Sequence, residues 1–146
     1  MSVDIYAFCN RREFDIVNDF LRHFAVSHSE NQSEYEYPWL AENPSQIFTN
    51  VFELMKELCK CKIQPYTIYW TNDREVEPYC VWIVFTQDEN IFFGLGVNEN
   101  NVQYWLNRIK RFLGTDYAYW SLEDPPPLIK EEFFSRFHSF KLSEGI

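Results

Sequence analysis

Two strand-like segments, residues 79–85 and 91–97, dominate the sequence, and the polar stretch 86–90 joins them. Both segments are rich in β-branched and aromatic residues, which predicts a β-hairpin. In the first segment the odd and the even positions are both apolar, so we expect a strand whose two faces are covered, at least in part. The turn holds no glycine. Any position with a positive φ must therefore come from Asn90 or, less comfortably, from Glu89.

The second segment carries Phe92, Gly94 and Gly96 on one face, and the two glycines leave a shallow trough. Either another group approaches the backbone closely there, or the strand bends. One hypothesis is a small-molecule or catalytic pocket over the trough, with walls from Trp82, Phe92 and Trp120. A helix packed on the glycines is the alternative.

The rest of the chain alternates between strand and helix patterns, which predicts an α+β fold for residues 1–146 as one domain. Further strands are predicted at 3–9, 65–71 and 116–122, and helices at 10–25, 43–60, 98–114 and 128–140. This order predicts a mixed, mostly antiparallel sheet of about five strands with helices packed on it, in two or partly three layers. In the first helix, Arg11 and Arg12 fall on the side expected to face solvent.

The chain carries a net charge of -9, from 22 acidic and 13 basic residues. Such a surface repels nucleic-acid phosphates and anionic lipid, so neither is expected as a partner. A basic protein partner is the favoured ligand class, while a merely solvated acidic surface is the alternative.

Cysteine usage points to a reducing compartment and to no cofactor. Cys9 and Cys80 lie in strand-like runs and are expected to be small buried hydrophobic residues. Cys59 and Cys61 form a C-x-C pair without a second pair at zinc spacing, so no metal site is predicted. The sequence has no run of 18 apolar residues and no signal-peptide pattern at Met1. We therefore expect a cytoplasmic protein with reduced thiols.

Motifs of catalysis are missing from the sequence, which leans towards a non-enzymatic function. There is no nucleophile elbow, P-loop or complete dinucleotide-binding fingerprint. His23, His28 and His138 have no metal-ligand spacing among them.

Residues 26–43 form the candidate binding segment. The stretch holds four glutamates and no lysine or arginine, and aromatic residues are interleaved with the acids. Connections of this length are uncommon unless they are functional or disordered. Exposed Tyr and Trp often anchor protein interfaces, but the rings could equally fold back over the edge of the core. The predicted partner-binding residues are Glu30, Glu34, Tyr35, Glu36, Tyr37 and Trp39.

Several short runs resemble small acidic bacterial proteins of the toxin-immunity type. They are Ile5-Tyr6-Ala7-Phe8, Asn10-Arg11, Phe14-Asp15, Tyr69-Trp70, Phe85-Thr86-Gln87-Asp88 and Gly94-Leu95-Gly96-Val97. The resemblance implies a cytosolic protein without catalytic residues that binds and occludes one cognate toxin, often a nuclease. A structural subunit or adaptor of a larger assembly is a further alternative, which a large exposed apolar surface would favour.

Overall fold

In the computed structural model, which describes residues 1–122 and 124–144, the chain is an α+β fold, as predicted. The strands are β1 (Ser2–Cys9), β2 (Ser29–Glu30), β3 (Tyr35–Tyr37), β4 (Gln46–Phe48), β5 (Tyr66–Thr71), β6 (Cys80–Phe85), β7 (Ile91–Asn98) and β8 (Ala118–Ser121). The helices are α1 (Phe14–Phe24), α2 (Val51–Lys60), α3 (Val102–Leu113) and α4 (Lys130–Glu144), with a 3-10 turn (Glu99–Asn101) before α3.

The main sheet has six strands in the order β2-β5-β6-β7-β1-β8, and every neighbouring pair is antiparallel. The predicted hairpin is confirmed as β6–β7 in the middle of this sheet. Glu89 supplies the positive φ of its turn, at 68°. The strand β1 inserts between β7 and β8. The sheet holds one more strand than the sequence predicts, because the short β2 is added at the edge beside β5.

Helices cover both faces of the sheet, which gives three layers. On the inner face, α1, α2 and α3 pack with residues such as Phe20, Leu54 and Ile109 on the buried odd-numbered positions of β1, β6 and β7. On the outer face, α4 lays Phe133 and Phe137 against part of the sheet. The apolar pattern on both faces of the hairpin therefore reflects cover from two sides.

Three predicted helices have wrong boundaries. The first helix begins at Phe14 instead of residue 10, with Glu13 at the cap position. The second helix begins at Val51 instead of residue 43, because Asn50 is the cap and accepts hydrogen bonds from the backbone N–H groups of Phe52 and Glu53. Residues before it form β4, which pairs with β3 in a separate two-stranded ribbon. The last helix begins at Lys130 and extends to Glu144, instead of covering 128–140.

Arg12 is buried, contrary to the expectation of a solvated position, with 2% of its surface exposed. Its guanidinium donates hydrogen bonds to the carbonyls of Leu58 (2.9 Å), Gln64 (2.7 Å) and Thr86 (2.6 Å). Two longer contacts to carbonyls measure 3.4 and 3.5 Å. One side chain thus ties the start of α1 to the end of α2 and to the turn of the hairpin.

The third helix follows the prediction and ends at Gly114, which has a left-handed φ of 62°. All four cysteines lie within the described residues and are free thiols. Over 1–122 and 124–144, the helices are too short or too polar for any of them to cross a membrane.

Candidate functional site

The candidate binding segment is folded rather than structureless. Its start forms β2, which extends the main sheet by pairing with the end of β5, and its middle forms β3 of the small ribbon. Ser45 N–H also donates to the carbonyl of Tyr37, which closes the connection from β3 to β4. We name residues 30–48, which contain β3 and β4, the acidic ribbon.

The rings of the acidic ribbon hold it against the core. Tyr35 is only 1% exposed, and its hydroxyl donates to the carboxylate of Glu30 at 2.8 Å. Burial and this carboxylate raise the pKa of Tyr35, so the phenol stays a hydrogen-bond donor. Tyr66 in β5 donates to the carbonyl of Glu36 at 2.7 Å, and Trp39 packs against the ring of Tyr66. The prediction of Tyr35 as an exposed contact is therefore wrong, because the core uses this ring as an anchor, while Tyr37 and Trp39 are half-buried.

The opposite side of the acidic ribbon is open to solvent. Glu34 and Glu42 are exposed and Glu36 is half-buried. Glu30 is also exposed, although its carboxylate accepts the hydrogen bond of Tyr35. Ile47 pairs with Glu36 across the two strands, so both point away from the side that carries Tyr35 and Phe48. Two large apolar side chains stand out among the acids, because Ile47 is 54% and Leu40 is 71% exposed.

Leu40 also has a left-handed backbone, with a φ of 61°. A branched, non-glycine residue in this region is strained by about 1–3 kcal/mol, and such strain concentrates at functional sites. The acidic ribbon therefore presents apolar and anionic groups together on a braced backbone.

The predicted pocket over the two glycines is not formed. A Cβ atom at Gly94 would lie 1.9 Å from Nε1 of Trp82, so the indole itself occupies the trough. At Gly96 the nearest atoms, on Cys80 and Trp82, would lie 3.6 Å away, which is ordinary contact. Neither a helix nor a ligand is needed to explain the close approach to Gly94.

The other two expected walls do not border an open trough either, although Phe92 lies on the same face of the sheet as Gly94. Phe92 is fully buried and stacks on Phe133 of α4, with 5.0 Å between ring centroids. Trp120 is in register with Ile5, whose neighbour across β7 is Leu95. Since these residues belong to the inner face, Trp120 stands on the opposite side of the sheet from Gly94.

The outer face is organised in rows that run across five strands. One row is aromatic apart from its glycine and consists of Tyr69, Trp82, Gly94, Tyr6 and Tyr119. The next row is polar and consists of Thr71, Cys80, Gly96, Asp4 and Ser121. Burial and the nearby charge of Asp124 raise the pKa of Asp4. Sequence reasoning missed this polar row, although one signal was available, because Asp4 is the only charged residue in β1.

Buried hydrogen-bonding groups without partners gather on this outer face. They are the Nε1 group of Trp82 and the hydroxyls of Thr67, Tyr119 and Ser121. Thr67 belongs to the face because it pairs with Val84, one step along β5 and β6 from the aromatic row. Natively folded proteins leave few such groups unpaired, so the outer face has capacity to bind a polar ligand.

The histidines take structural positions. The imidazole of His28 donates from Nε2 to the carbonyl of Pro78 at 2.6 Å, and His23 contacts the carbonyl of Asp19 at 2.8 Å. No group of three or more His, Cys, Asp or Glu in the described part of the chain is arranged to hold a metal ion.

Comparisons of the chain with protein-family models, with curated proteins and with solved structures give no match. The function is therefore inferred from the surfaces of the molecule itself. Of these, the acidic ribbon unites a charge pattern visible in the sequence with an exposed, strained apolar residue in the fold.

Proposed function

We propose that this protein is a non-enzymatic binding protein whose acidic ribbon docks on a basic protein, in the manner of an immunity protein that occludes a toxin. The observation that carries the proposal is the exposure of Leu40 and Ile47 among glutamates on a ribbon braced by the buried Tyr35. From residue 23 to residue 55 the sequence contains no lysine or arginine. The anionic field of the ribbon is therefore not interrupted by cationic side chains of the same stretch.

Charge and apolar contact have different roles in this proposal. The glutamates accelerate encounter with a basic surface and fix orientation, and their effect weakens as salt rises. Leu40 and Ile47 provide affinity, because full burial of a large aliphatic side chain is worth about 1.5–3 kcal/mol. A backbone already fixed by Tyr35 and Tyr66 loses little conformational freedom on binding.

The test is capture of partners from a lysate of the source organism with matched charge variants. The ribbon variant replaces Glu30, Glu34, Glu36 and Glu42 by glutamine. The control variant replaces four exposed acids outside the ribbon, as Asp15→Asn, Asp19→Asn, Asp116→Asn and Glu131→Gln. Each variant loses four negative charges, so both change the net charge from -9 to -5.

We expect one basic protein to be retained by the wild type and by the control variant, and to be lost by the ribbon variant. Leu40→Gly, which keeps the left-handed backbone accessible, should weaken the purified complex by more than ~1 kcal/mol if Leu40 is a hot spot. For the immunity role, co-expression with the captured protein should relieve its toxicity in the wild type and not in the ribbon variant. Equal capture by both charge variants would show that the acidic ribbon is not the binding surface.

A further inference from the structure

A second surface, separate from the acidic ribbon, has the properties of a small-molecule site. A cavity of about 710 Å³ lies between the edge strand β8, the outer-face helix α4 and the first residues of α3. Its size falls within the roughly 300–1,000 Å³ of typical ligand pockets. The residues that line this cavity include Tyr119, Trp120, Ser121, Arg136, Ser139 and Phe140.

Two buried hydroxyls among the lining residues have no acceptor for their proton within the described chain. They belong to Tyr119, which is 1% exposed, and to Ser121. Leaving a buried hydroxyl unpaired costs about 1–3 kcal/mol, so a bound group that pairs with it is favoured. Arg136 lies close enough to donate to the Tyr119 oxygen and so lowers the pKa of the phenol, but burial outweighs this and raises the pKa to about 12. The hydroxyl therefore keeps its proton, which it can donate to a ligand.

The backbone of β8 adds further hydrogen-bonding capacity. Among the described strands β8 pairs with β1 alone, and the N–H of Phe8 donates to the carbonyl of Tyr117. Because bonding alternates along an antiparallel pair, the odd-numbered residues of β8 direct their N–H and C=O groups towards β1. The N–H and C=O of Trp120 consequently point away from the sheet, along the edge that borders the cavity.

One wall of the cavity is aromatic and another carries hydroxyls. The half-buried rings of Trp120 and Phe140 lie 6.4 Å apart between centroids, at an angle of 73°. Ser139 is the middle of three lining serines spaced four residues apart on α4, the others being Ser135 and Ser143. A ligand here meets an apolar ring surface and several neutral hydroxyls at once.

The charges of the cavity are mixed, which excludes several ligand classes. Arg136 is already engaged by the carbonyl of Pro125 and by Glu132, and the lining also contains the carboxylates of Asp124 and Glu144. Two carboxylates beside one engaged arginine disfavour phosphates and other anions, while the positive charge of Arg136 reduces the attraction for an organic cation. The many hydrogen-bonding groups disfavour a purely apolar ligand.

We propose that this cavity, which borders the free edge of β8, binds a neutral carbohydrate that reaches around this edge. Its C–H face lies on Trp120, on the inner side of the sheet, and its hydroxyls pair with Tyr119 and Ser121, on the outer side. Carbohydrates combine an apolar face with a rim of hydroxyls, and the cavity offers the complement of both. The site is independent of the acidic ribbon, so either proposal can fail without the other.

The test is direct binding of a sugar panel to the full chain. Glucose, galactose, N-acetylglucosamine, ribose and myo-inositol are titrated up to millimolar concentration, with calorimetry and ligand-observed NMR as readouts. Choline and benzylamine serve as cationic probes, and inorganic phosphate as the anionic probe. We expect at least one sugar to bind and none of the charged probes.

Variants then locate the site. Tyr119→Phe keeps the buried ring and removes only its hydroxyl, and we expect about a 5- to 30-fold weaker sugar affinity from the loss of one hydrogen bond. Ser121→Ala should act similarly, and Trp120→Leu should weaken binding further through loss of the ring surface. Tyr117→Phe is the matched control, since Tyr117 is exposed on the same stretch and does not line this cavity.

Thermal melts of each variant separate lost affinity from lost folding. The proposal is overturned if no sugar of the panel binds, or if only a charged probe binds. It is also overturned if sugar affinity is the same in the wild type and in the folded Tyr119→Phe, Ser121→Ala and Trp120→Leu variants.

Discussion

Replacing Arg12 by alanine is expected to destabilise the protein more than the loss of any exposed charge. The guanidinium is the hydrogen-bond donor for three close carbonyls, at 2.6, 2.7 and 2.9 Å, of which those of Thr86 and Leu58 are buried and that of Gln64 is partly buried. Each buried carbonyl left without a donor costs about 1–3 kcal/mol, and partial relaxation lowers the sum. We therefore expect Arg12→Ala to lower the free energy of unfolding by about 3–5 kcal/mol, in the range that marks a broken buried network.

Two further variants sharpen this prediction. Arg12→Lys keeps the positive charge but replaces a planar fork by one ammonium group, which cannot reach all three carbonyls, so about 2–3 kcal/mol should be lost. Arg11→Ala is the matched control, because Arg11 is exposed and makes only a surface ion pair with Glu13, at 3.2 Å. Its removal should change stability by less than about 1 kcal/mol.

The measurement is urea unfolding, monitored by tryptophan fluorescence. The free energies of unfolding are compared among variants whose dependence on urea concentration has the same slope. The expected order of stability is wild type and Arg11→Ala together, then Arg12→Lys, then Arg12→Ala. If Arg12→Ala unfolds within ~1 kcal/mol of Arg11→Ala, the carbonyls are adequately solvated without the guanidinium and the reasoning fails.

The remaining predictions concern the outer face. Gly94→Ala should destabilise the protein by about 1–3 kcal/mol, since its Cβ would overlap the indole of Trp82. Gly96→Ala should be close to neutral or slightly stabilising. Similar melting temperatures for the two variants would show that the indole moves freely. The raised pKa of Asp4, caused by burial and by Asp124, means that the folded state binds the proton more tightly than the unfolded state. The contribution of Asp4 to the stability of the folded state is therefore most favourable below its ordinary pKa of 3.8, and it is lost as pH rises through the folded-state pKa. Asp4→Asn should consequently melt higher than the wild type at pH 7, with the gain shrinking as pH falls towards 3.8; a gain independent of pH would point to packing instead of charge.

Features set by local pattern could be predicted from the sequence. The hairpin β6–β7 follows from two apolar segments around a polar turn, and the end of α3 follows from Gly114 after an amphipathic stripe. Both depend on residues close together in the chain. The predicted start of α2 is wrong because cap and proline signals at 43–46 compete with the pairing of β4 to β3. This pairing depends on the partner strand at Tyr35–Tyr37, which precedes those signals in the chain.

For the candidate sites too, features that depend on local sequence could be predicted, whereas features that depend on distant residues could not. The charge of the acidic ribbon is a property of composition and was visible at once. The position of each ring depended on partners distant in sequence, such as Tyr66 for Trp39. The side chain that fills the trough at Gly94 comes from the neighbouring strand, and only the register of β6 and β7 shows that it is Trp82.

The position of β1 between β7 and β8 has a consequence for the order in which the protein can fold during synthesis. Residues 2–9 pair with residues 91–98 on one side and with residues 118–121 on the other. The ribosome must therefore add residues 10–90 before β1 can meet either neighbour, and the apolar residues of β1 remain unpaired until then. Such distant pairings slow folding, and exposed strand edges promote aggregation of partly folded chains. We expect nascent chains that stop before residue 91 to depend on chaperones, and productive folding to begin only after the hairpin has emerged.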